Sequence, residues 1–193
     1  HVALGLLDIH RDSGLAGEIR ALGRRALPLQ MDVTRLEQVR QAVDQTVATF
    51  GRLDILVNNA GGGFNNLIED IPEHEFDETI NWNLKSTFFA SQYAGKVMIR
   101  QDYGRIINLS SQAGFVALPT ESVYCITKAG VNHLTRCFAV EWGKYNITVN
   151  AVAPGTVEPP PGLSESKLQE IRDSSALGRI GSANDVIQAV LYL

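Results

Sequence analysis

Tyr124 and Lys128 stand four residues apart in a stretch with helical periodicity, so both side chains would lie on one face within one turn. A free tyrosine has a pKa near ~10, which is too high for easy proton exchange at neutral pH. A neighbouring ammonium group would stabilise the phenolate and lower the pKa of the phenol. The pair therefore predicts a tyrosine that acts as a general acid or base, although such pairs also recur by chance on helix surfaces.

Three further polar residues have positions that fit a site around this tyrosine. Ser111 follows the apolar run 105–109, where a hydroxyl at the carboxyl end of a strand can point into the same cleft. Asn83 stands inside a long helical pattern, although asparagine is a poor residue for a helix interior. Glu121 lies three residues before Tyr124. We expect Glu121 to hydrogen-bond a substrate hydroxyl, with stabilisation of the helix start as the alternative.

Short apolar runs alternate with helical patterns along the whole chain, and this alternation predicts the elements that position the site. The runs cover residues 2–7, 26–31, 53–57, 105–109 and 147–152, and the helical patterns cover residues 15–22, 36–50, 72–101 and 122–145. Nearly uninterrupted apolar strands indicate a parallel sheet that is covered by helices on both faces. We therefore predict an α/β fold with a doubly wound, Rossmann-like sheet, in a single domain over residues 1–193.

The motifs, in their order and spacing, resemble those of the short-chain dehydrogenase/reductase family over essentially the whole chain. They are Asp32-Val33, Asn58-Asn59-Ala60-Gly61, Asn83, Ser111, Tyr124 with Lys128, and Pro154-Gly155. The resemblance implies a catalytic set in which Tyr124 exchanges the proton and Ser111 hydrogen-bonds the substrate oxygen. Lys128 would lower the pKa of the tyrosine and bind the nicotinamide ribose, and Asn83 would hold a water in the proton relay.

The resemblance also implies a nicotinamide dinucleotide as cofactor. Asp32 and Val33 match positions that line the adenine site. Asn59, Ala60 and Gly61 match the loop beside the cofactor. Pro154 and Gly155 match the turn near the nicotinamide.

The sequence departs from the family at both ends and in the residues that select the cofactor. No Thr-Gly-x-x-x-Gly-x-Gly run occurs in it. Aligned on the family, residues 2–7 are the second strand, so we expect the first and last strands of the family's sheet to be missing from this chain. Asp8 suits the ribose of NAD, whereas His10 and Arg11 suit the phosphate of NADP, and the choice between NAD and NADP stays open.

Composition limits the partners. The net charge is −4, and no basic patch points to nucleic acid, so we expect a small-molecule substrate. The sequence has no apolar run long enough for a bilayer and no signal peptide, which favours a cytoplasmic protein that contacts no membrane. No histidine has metal-ligand spacing, so we expect no metal site.

We expect an NAD(P)-dependent oxidoreductase that transfers a hydride between nicotinamide and a secondary alcohol or ketone. The sequence over residues 105–128 resembles sugar-acid and polyol dehydrogenases of the family, which implies a sugar acid or polyol as substrate, with a 3-oxoacyl thioester as the alternative. A protein that senses a dinucleotide without turnover is the alternative of another class. The two long helices favour a homo-oligomer, either a tetramer or a dimer.

Overall fold

The computed structural model describes residues 1–8, 14–159 and 161–193. Its strands are β1 (Val2–Leu6), β2 (Ala26–Gln30), β3 (Ile55–Asn58), β4 (Gly104–Leu109) and β5 (Ile147–Val152). Its α-helices are α1 (Leu15–Ala21), α2 (Leu36–Phe50), α3 (Glu73–Ile80), α4 (Ser86–Gln101), α5 (Ser122–Trp142), α6 (Glu165–Ser174) and α7 (Ala183–Tyr192). The alternation of strands and helices up to β5 is the predicted one, whereas α6 and α7 were not predicted. The bounds of β5 match the prediction, and those of the other strands differ from it by one or two residues.

All strand pairs are parallel, and they form two sheets. One sheet pairs β1 with β2, and the other has the order β3-β4-β5. In the part of the chain that the structure describes, no ladder joins β1 to β3. The Rossmann-like α/β fold is confirmed, and its ladder is interrupted where the alignment expects the family's central first strand.

The core lies around β4, which has a hydrogen-bonded neighbour on each side. Ile106, Ile107 and Asn108 of this strand are all buried. Met98 of α4 and Val131 of α5 pack in the same hydrophobic cluster. Burial on both faces is expected for the middle strand of a parallel sheet. The position of β4 is therefore well fixed, and β4 in turn positions the loop that follows it.

The helix predicted over residues 72–101 is interrupted. A π-helical turn, Asn81–Lys85, separates α3 from α4. The side chain of Asn83 donates to the Thr79 carbonyl at 2.9 Å, and the Thr87 hydroxyl donates to the Asn83 carbonyl at 2.6 Å. Polar side chains that compete for backbone groups explain the irregular turn, and such turns occur frequently at functional sites.

The second long helix is shorter than predicted. Instead of continuing to residue 145, α5 ends at Trp142 and a 3₁₀ turn covers Gly143–Tyr145. Among the described residues, no helix is both long enough and apolar enough to cross a bilayer.

Candidate active site

Ser111 stands two residues after β4, at the start of a 3₁₀ turn over Gln112–Gly114. Its hydroxyl oxygen accepts a 3.1 Å hydrogen bond from the Ala113 amide, and its side chain is hydrogen-bonded to Tyr124. The neighbouring Ser110 hydroxyl donates to the Lys128 carbonyl at 3.2 Å. The turn after β4 is therefore tied to α5 at the two residues that the sequence analysis paired.

Lys128 is the most deeply buried charged group of the site, with 5% of its surface exposed. Its Nζ donates a 2.8 Å hydrogen bond to the carbonyl of Leu109, the last residue of β4. The same atom lies 5.4 Å from the centroid of the Tyr124 ring. Burial lowers the pKa of Lys128 to about 8, so protonation of this amine is easily changed near neutral pH.

Tyr124 lies in the first turn of α5, and the pKa of its phenol is raised above the ordinary value. Burial is the main cause, and the negative charge of Glu121 acts in the same direction. The hydrogen bond from Ser111 partly opposes this rise. Lys128, whose Nζ lies over the ring and donates to the Leu109 carbonyl, is not among the causes of this shift, and its lowering of the pKa of Tyr124 stays a prediction.

Glu121 precedes α5 as its N-cap residue, and it is half-buried. Its negative charge helps to raise the pKa of Tyr124. The predicted contact of Glu121 with a substrate hydroxyl stays a prediction.

Asn83 is 1% exposed, and its side-chain amide is engaged with the glycine-rich loop after β3. Its Nδ2 donates to the Gly62 carbonyl at 2.6 Å, and its Oδ1 accepts from the Gly62 amide at 3.2 Å. These bonds give the side chain a positioning role. The predicted role of Asn83 in holding a water of the proton relay stays a prediction.

The loop after β3 brings three more predicted residues to the site. Asn59, Ala60 and Gly61 are exposed. A Cβ atom at Gly61 would lie 2.4 Å from Oδ1 of Asn83 and 3.5 Å from Nζ of Lys128, so only glycine fits between these side chains. The loop, the π turn and α5 therefore meet at Gly61.

Sequence reasoning missed the two glycines that follow. A Cβ at Gly62 would meet the Trp82 ring at 3.4 Å, and a Cβ at Gly63 would meet the Tyr124 side chain at 3.3 Å. The signal that was available is the run of three glycines at the end of a strand.

Pro154 and Gly155 follow β5 and line a cavity of about 370 Å³. The cavity runs under α6 and the segment before α7, and Gln112 lines it on the other side. The backbone amide of Gln112 donates a 2.9 Å hydrogen bond to the Pro154 carbonyl. The side-chain Oε1 of Gln112 lies 3.3 Å from the position that a Cβ atom at Gly155 would take. Gln112, which the sequence analysis also missed, thus connects the turn after β5 to the turn that begins at Ser111.

Asp32 and Val33 lie after β2, and both are half-buried. The Asp32 carboxylate accepts from the amide of Thr34 at 2.9 Å and from its hydroxyl at 2.7 Å. Their place at the adenine end of a cofactor stays a prediction. His10 and Arg11 lie outside the described residues. Among the residues that are described, no three His, Cys, Asp or Glu side chains group as metal ligands.

Comparison with known proteins identifies the family. Residues 2–170 match the family model for short chain dehydrogenase. An NAD-dependent glycerol dehydrogenase of Listeria innocua is 35% identical over 192 residues, which cover 97% of this chain and 75% of that protein. A 3-oxoacyl-acyl-carrier-protein reductase of Thermotoga maritima is 36% identical over 192 residues, which cover 96% of this chain and 77% of that protein.

A solved structure, of ElxO with NADP bound, superposes with a TM-score of 0.92 at 30% identity, covering 100% of this chain and 80% of that one. The chain therefore belongs to the short-chain dehydrogenase family and is an NAD(P)-dependent oxidoreductase.

Proposed function

We propose that the enzyme transfers a hydride between nicotinamide and the carbon of a secondary alcohol or ketone, with Tyr124 exchanging the proton. The observation that carries the proposal is the hydrogen-bonded pair of Ser111 and Tyr124 beside the buried amine of Lys128. Two hydroxyl groups that address one substrate oxygen stabilise the charge that develops there. The bound nicotinamide supplies or accepts the hydride.

The protein's part in ketone reduction is to deliver a proton and to hold the oxygen. Tyr124 donates its phenolic proton to the carbonyl oxygen as the carbon gains the hydride, and Ser111 donates a second hydrogen bond to that oxygen. Alcohol oxidation runs through the same groups in reverse, with the Tyr124 phenolate taking the proton. The raised pKa keeps the phenol protonated at neutral pH, which suits the reducing direction.

Lys128 and Gly61 fit the ribose end of a nicotinamide cofactor. A lysine ammonium has three N–H donors, and the hydrogen bond to the Leu109 carbonyl uses one of them. The remaining donors suit the neighbouring hydroxyls of a ribose, and Gly61 leaves the space beside Nζ free of a side chain. The fit concerns this end of the cofactor, since the family's glycine run for the pyrophosphate does not occur in the sequence.

A polyol or sugar acid is the substrate class that we favour. Support comes from the half-buried Glu121 carboxylate, whose charge acts on the phenol of Tyr124. This carboxylate can accept a hydrogen bond from a second substrate hydroxyl. The glycerol dehydrogenase relative points the same way. The second candidate is a 3-oxoacyl thioester, which the Thermotoga maritima relative supports. Phe115 and Val116, 67% and 53% exposed on the turn after Ser111, offer an apolar surface for an acyl chain.

Replacement of Tyr124 by Phe tests the catalytic proposal. The ring still packs and only the exchangeable proton is lost, so we expect turnover to be abolished while cofactor affinity and the melting temperature stay near those of the parent. Tyr192→Phe is the matched control, because Tyr192 is 90% exposed at the end of α7. If Tyr124→Phe kept activity within about tenfold of the parent, which is ~1.4 kcal/mol in barrier, Tyr124 would be removed from the mechanism.

We also propose that the enzyme is a cytoplasmic homo-oligomer, a dimer or a tetramer, that assembles through α4 and α5. Phe88 on α4 and Ile126 and Val140 on α5 are exposed apolar side chains, and large apolar side chains on long helices suit a self-complementary interface. Cys125 and Cys137 are free thiols, as suits a reducing compartment. Sedimentation of the parent and of Val140→Lys tests the interface, and a monomeric parent would contradict it.

A further inference from the structure

Gly63 lies directly against the side chain of Tyr124. A Cβ atom at Gly63 would be 3.3 Å from both Cβ and Cδ2 of the tyrosine, which is closer than an ordinary van der Waals contact. The backbone at Gly63 therefore bounds the space in which the Tyr124 ring can sit. A side chain there would have to displace either the ring or the loop.

The loop is held on both sides of Gly63. Before it, Gly62 exchanges two hydrogen bonds with the Asn83 side chain. After it, the Phe64 ring stacks on the Trp82 ring, with centroids 5.6 Å apart and planes inclined by 20°. Both partners belong to the π turn Asn81–Lys85, so the loop is fastened to one short piece of backbone.

A further bond fastens the loop to the segment that enters α5. The backbone amide of Asn66 donates a hydrogen bond to the Thr120 carbonyl at 2.9 Å. Tyr124 itself is in the first turn of α5, where the Thr127 hydroxyl donates to its carbonyl at 2.7 Å. Neither the loop nor the tyrosine backbone is free to move away from the other.

We propose that Gly63 is a positioning residue for Tyr124, which fixes the ring so that its hydroxyl meets Ser111 and the substrate oxygen together. The inference rests on the proposed role of Tyr124 in proton exchange. The inference also explains what the π turn does. Its side chains Asn83 and Trp82 hold the backbone around Gly63 against the Tyr124 ring. Displacement of a reacting group by a fraction of an ångström is enough to slow a reaction that depends on orientation.

Gly63→Ala is the direct test. We expect kcat to fall about tenfold while the KM values for substrate and cofactor stay within about twofold, since the ring is displaced and the binding groups are not. Gly143→Ala is the matched control, because Gly143 caps the C-terminal end of the helix that carries Tyr124 and a Cβ there would meet no atom within 4 Å. The control is expected to keep the parent kcat.

A measurement without substrate separates this inference from the proposed function. With ¹³C at the ring Cζ of the five tyrosines, the Tyr124 signal is assigned by its loss in Tyr124→Phe. We expect its titration in Gly63→Ala to move to higher pH, because a displaced ring loses the hydrogen bond from Ser111. An unchanged titration together with an unchanged kcat would overturn the inference. If Tyr124→Phe stayed active, the proposed function would fail, and the titration would still decide whether Gly63 positions the ring.

A second variant guards against a simple folding defect. Adding Phe64→Ala to Gly63→Ala removes the stack on Trp82 and lets the loop withdraw from the ring. We expect the double variant to recover part of the kcat and to move the Tyr124 titration back towards the parent value. A double variant that is worse than Gly63→Ala in both respects would overturn the inference.

Discussion

Asn58 and Asn108 lie opposite each other on β3 and β4, and the Asn58 side chain donates a 2.8 Å hydrogen bond to Oδ1 of Asn108. Asn58 also donates to the Ser91 hydroxyl on α4 at 3.0 Å, and Asn108 donates to the Thr135 hydroxyl on α5 at 2.9 Å. This buried polar chain ties two strands to two long helices just before the strands end at the active site.

Asn108→Ala is expected to lower the free energy of unfolding by about 1–3 kcal/mol, because it removes two buried hydrogen bonds, one from Asn58 and one to Thr135. Urea denaturation measures the loss, and Asn184→Ala on the exposed face of α7 serves as control. The double variant Asn58→Ala, Asn108→Ala should lose less than the sum of the single losses. Strict additivity would mean that the two amides do not act as a unit.

Lys128→Met should change how stability depends on pH. The pKa of Lys128 is about 8 in the folded protein against an ordinary 10.5, so the unfolded chain holds the extra proton between these values. The parent therefore gains stability relative to Lys128→Met as pH rises from about 8 to 10.5, by about 3 kcal/mol in total. Urea denaturation at several pH values measures the difference, and Lys96→Met at an exposed position of α4 is the control. A difference that stays constant over this range would show that the buried amine is not destabilised.

The two reaction directions should respond oppositely to pH. Reduction needs a protonated Tyr124, and burial raises the pKa of this phenol, so kcat/KM for a ketone should hold through neutral pH and fall only in the alkaline range. Oxidation needs the phenolate and should rise over the same range. Profiles from about pH 6 to about pH 10 check both. Ser111→Ala should move the alkaline limb to higher pH, and a shift to lower pH would contradict the assignment.

Glu121→Gln should discriminate between substrates. If the carboxylate accepts a hydrogen bond from a substrate hydroxyl, the variant loses about tenfold in kcat/KM on a polyol or sugar acid and little on a simple ketone. Glu141→Gln, at the exposed far end of α5, is the matched control. Equal losses on both substrates would leave Glu121 only the role of stabilising the helix start.

Much of this structure could be predicted from local patterns in the sequence. Tyr124 and Lys128 were predictable because a helix places residues four apart on one face, and the strand over residues 147–152 because its apolar run is bounded by turns. The break at Asn83 was not, because an apolar periodicity compatible with one helix runs across it and the π turn depends on side-chain bonds to backbone groups. The raised pKa of Tyr124 depends on burial by segments distant in sequence. The contact with Gly63 likewise arises only when the loop after β3 meets α5.

The separation of the sheet into β1-β2 and β3-β4-β5 bears on how the native state opens. Breaking the ladder of β1 and β2 costs no backbone hydrogen bond of β3-β4-β5, so we expect the two sheets to exchange their amide hydrogens as separate cooperative units. Helix α2, which contacts β2, also packs on α4. Amides of β4, which is paired on both sides, should report global unfolding, whereas those of β1 and β2 should exchange through smaller, local openings. Ser111, which we propose to hold the substrate oxygen, thus follows a strand of the sheet expected to be more protected, while Asp32 and Val33 follow a strand of the other sheet.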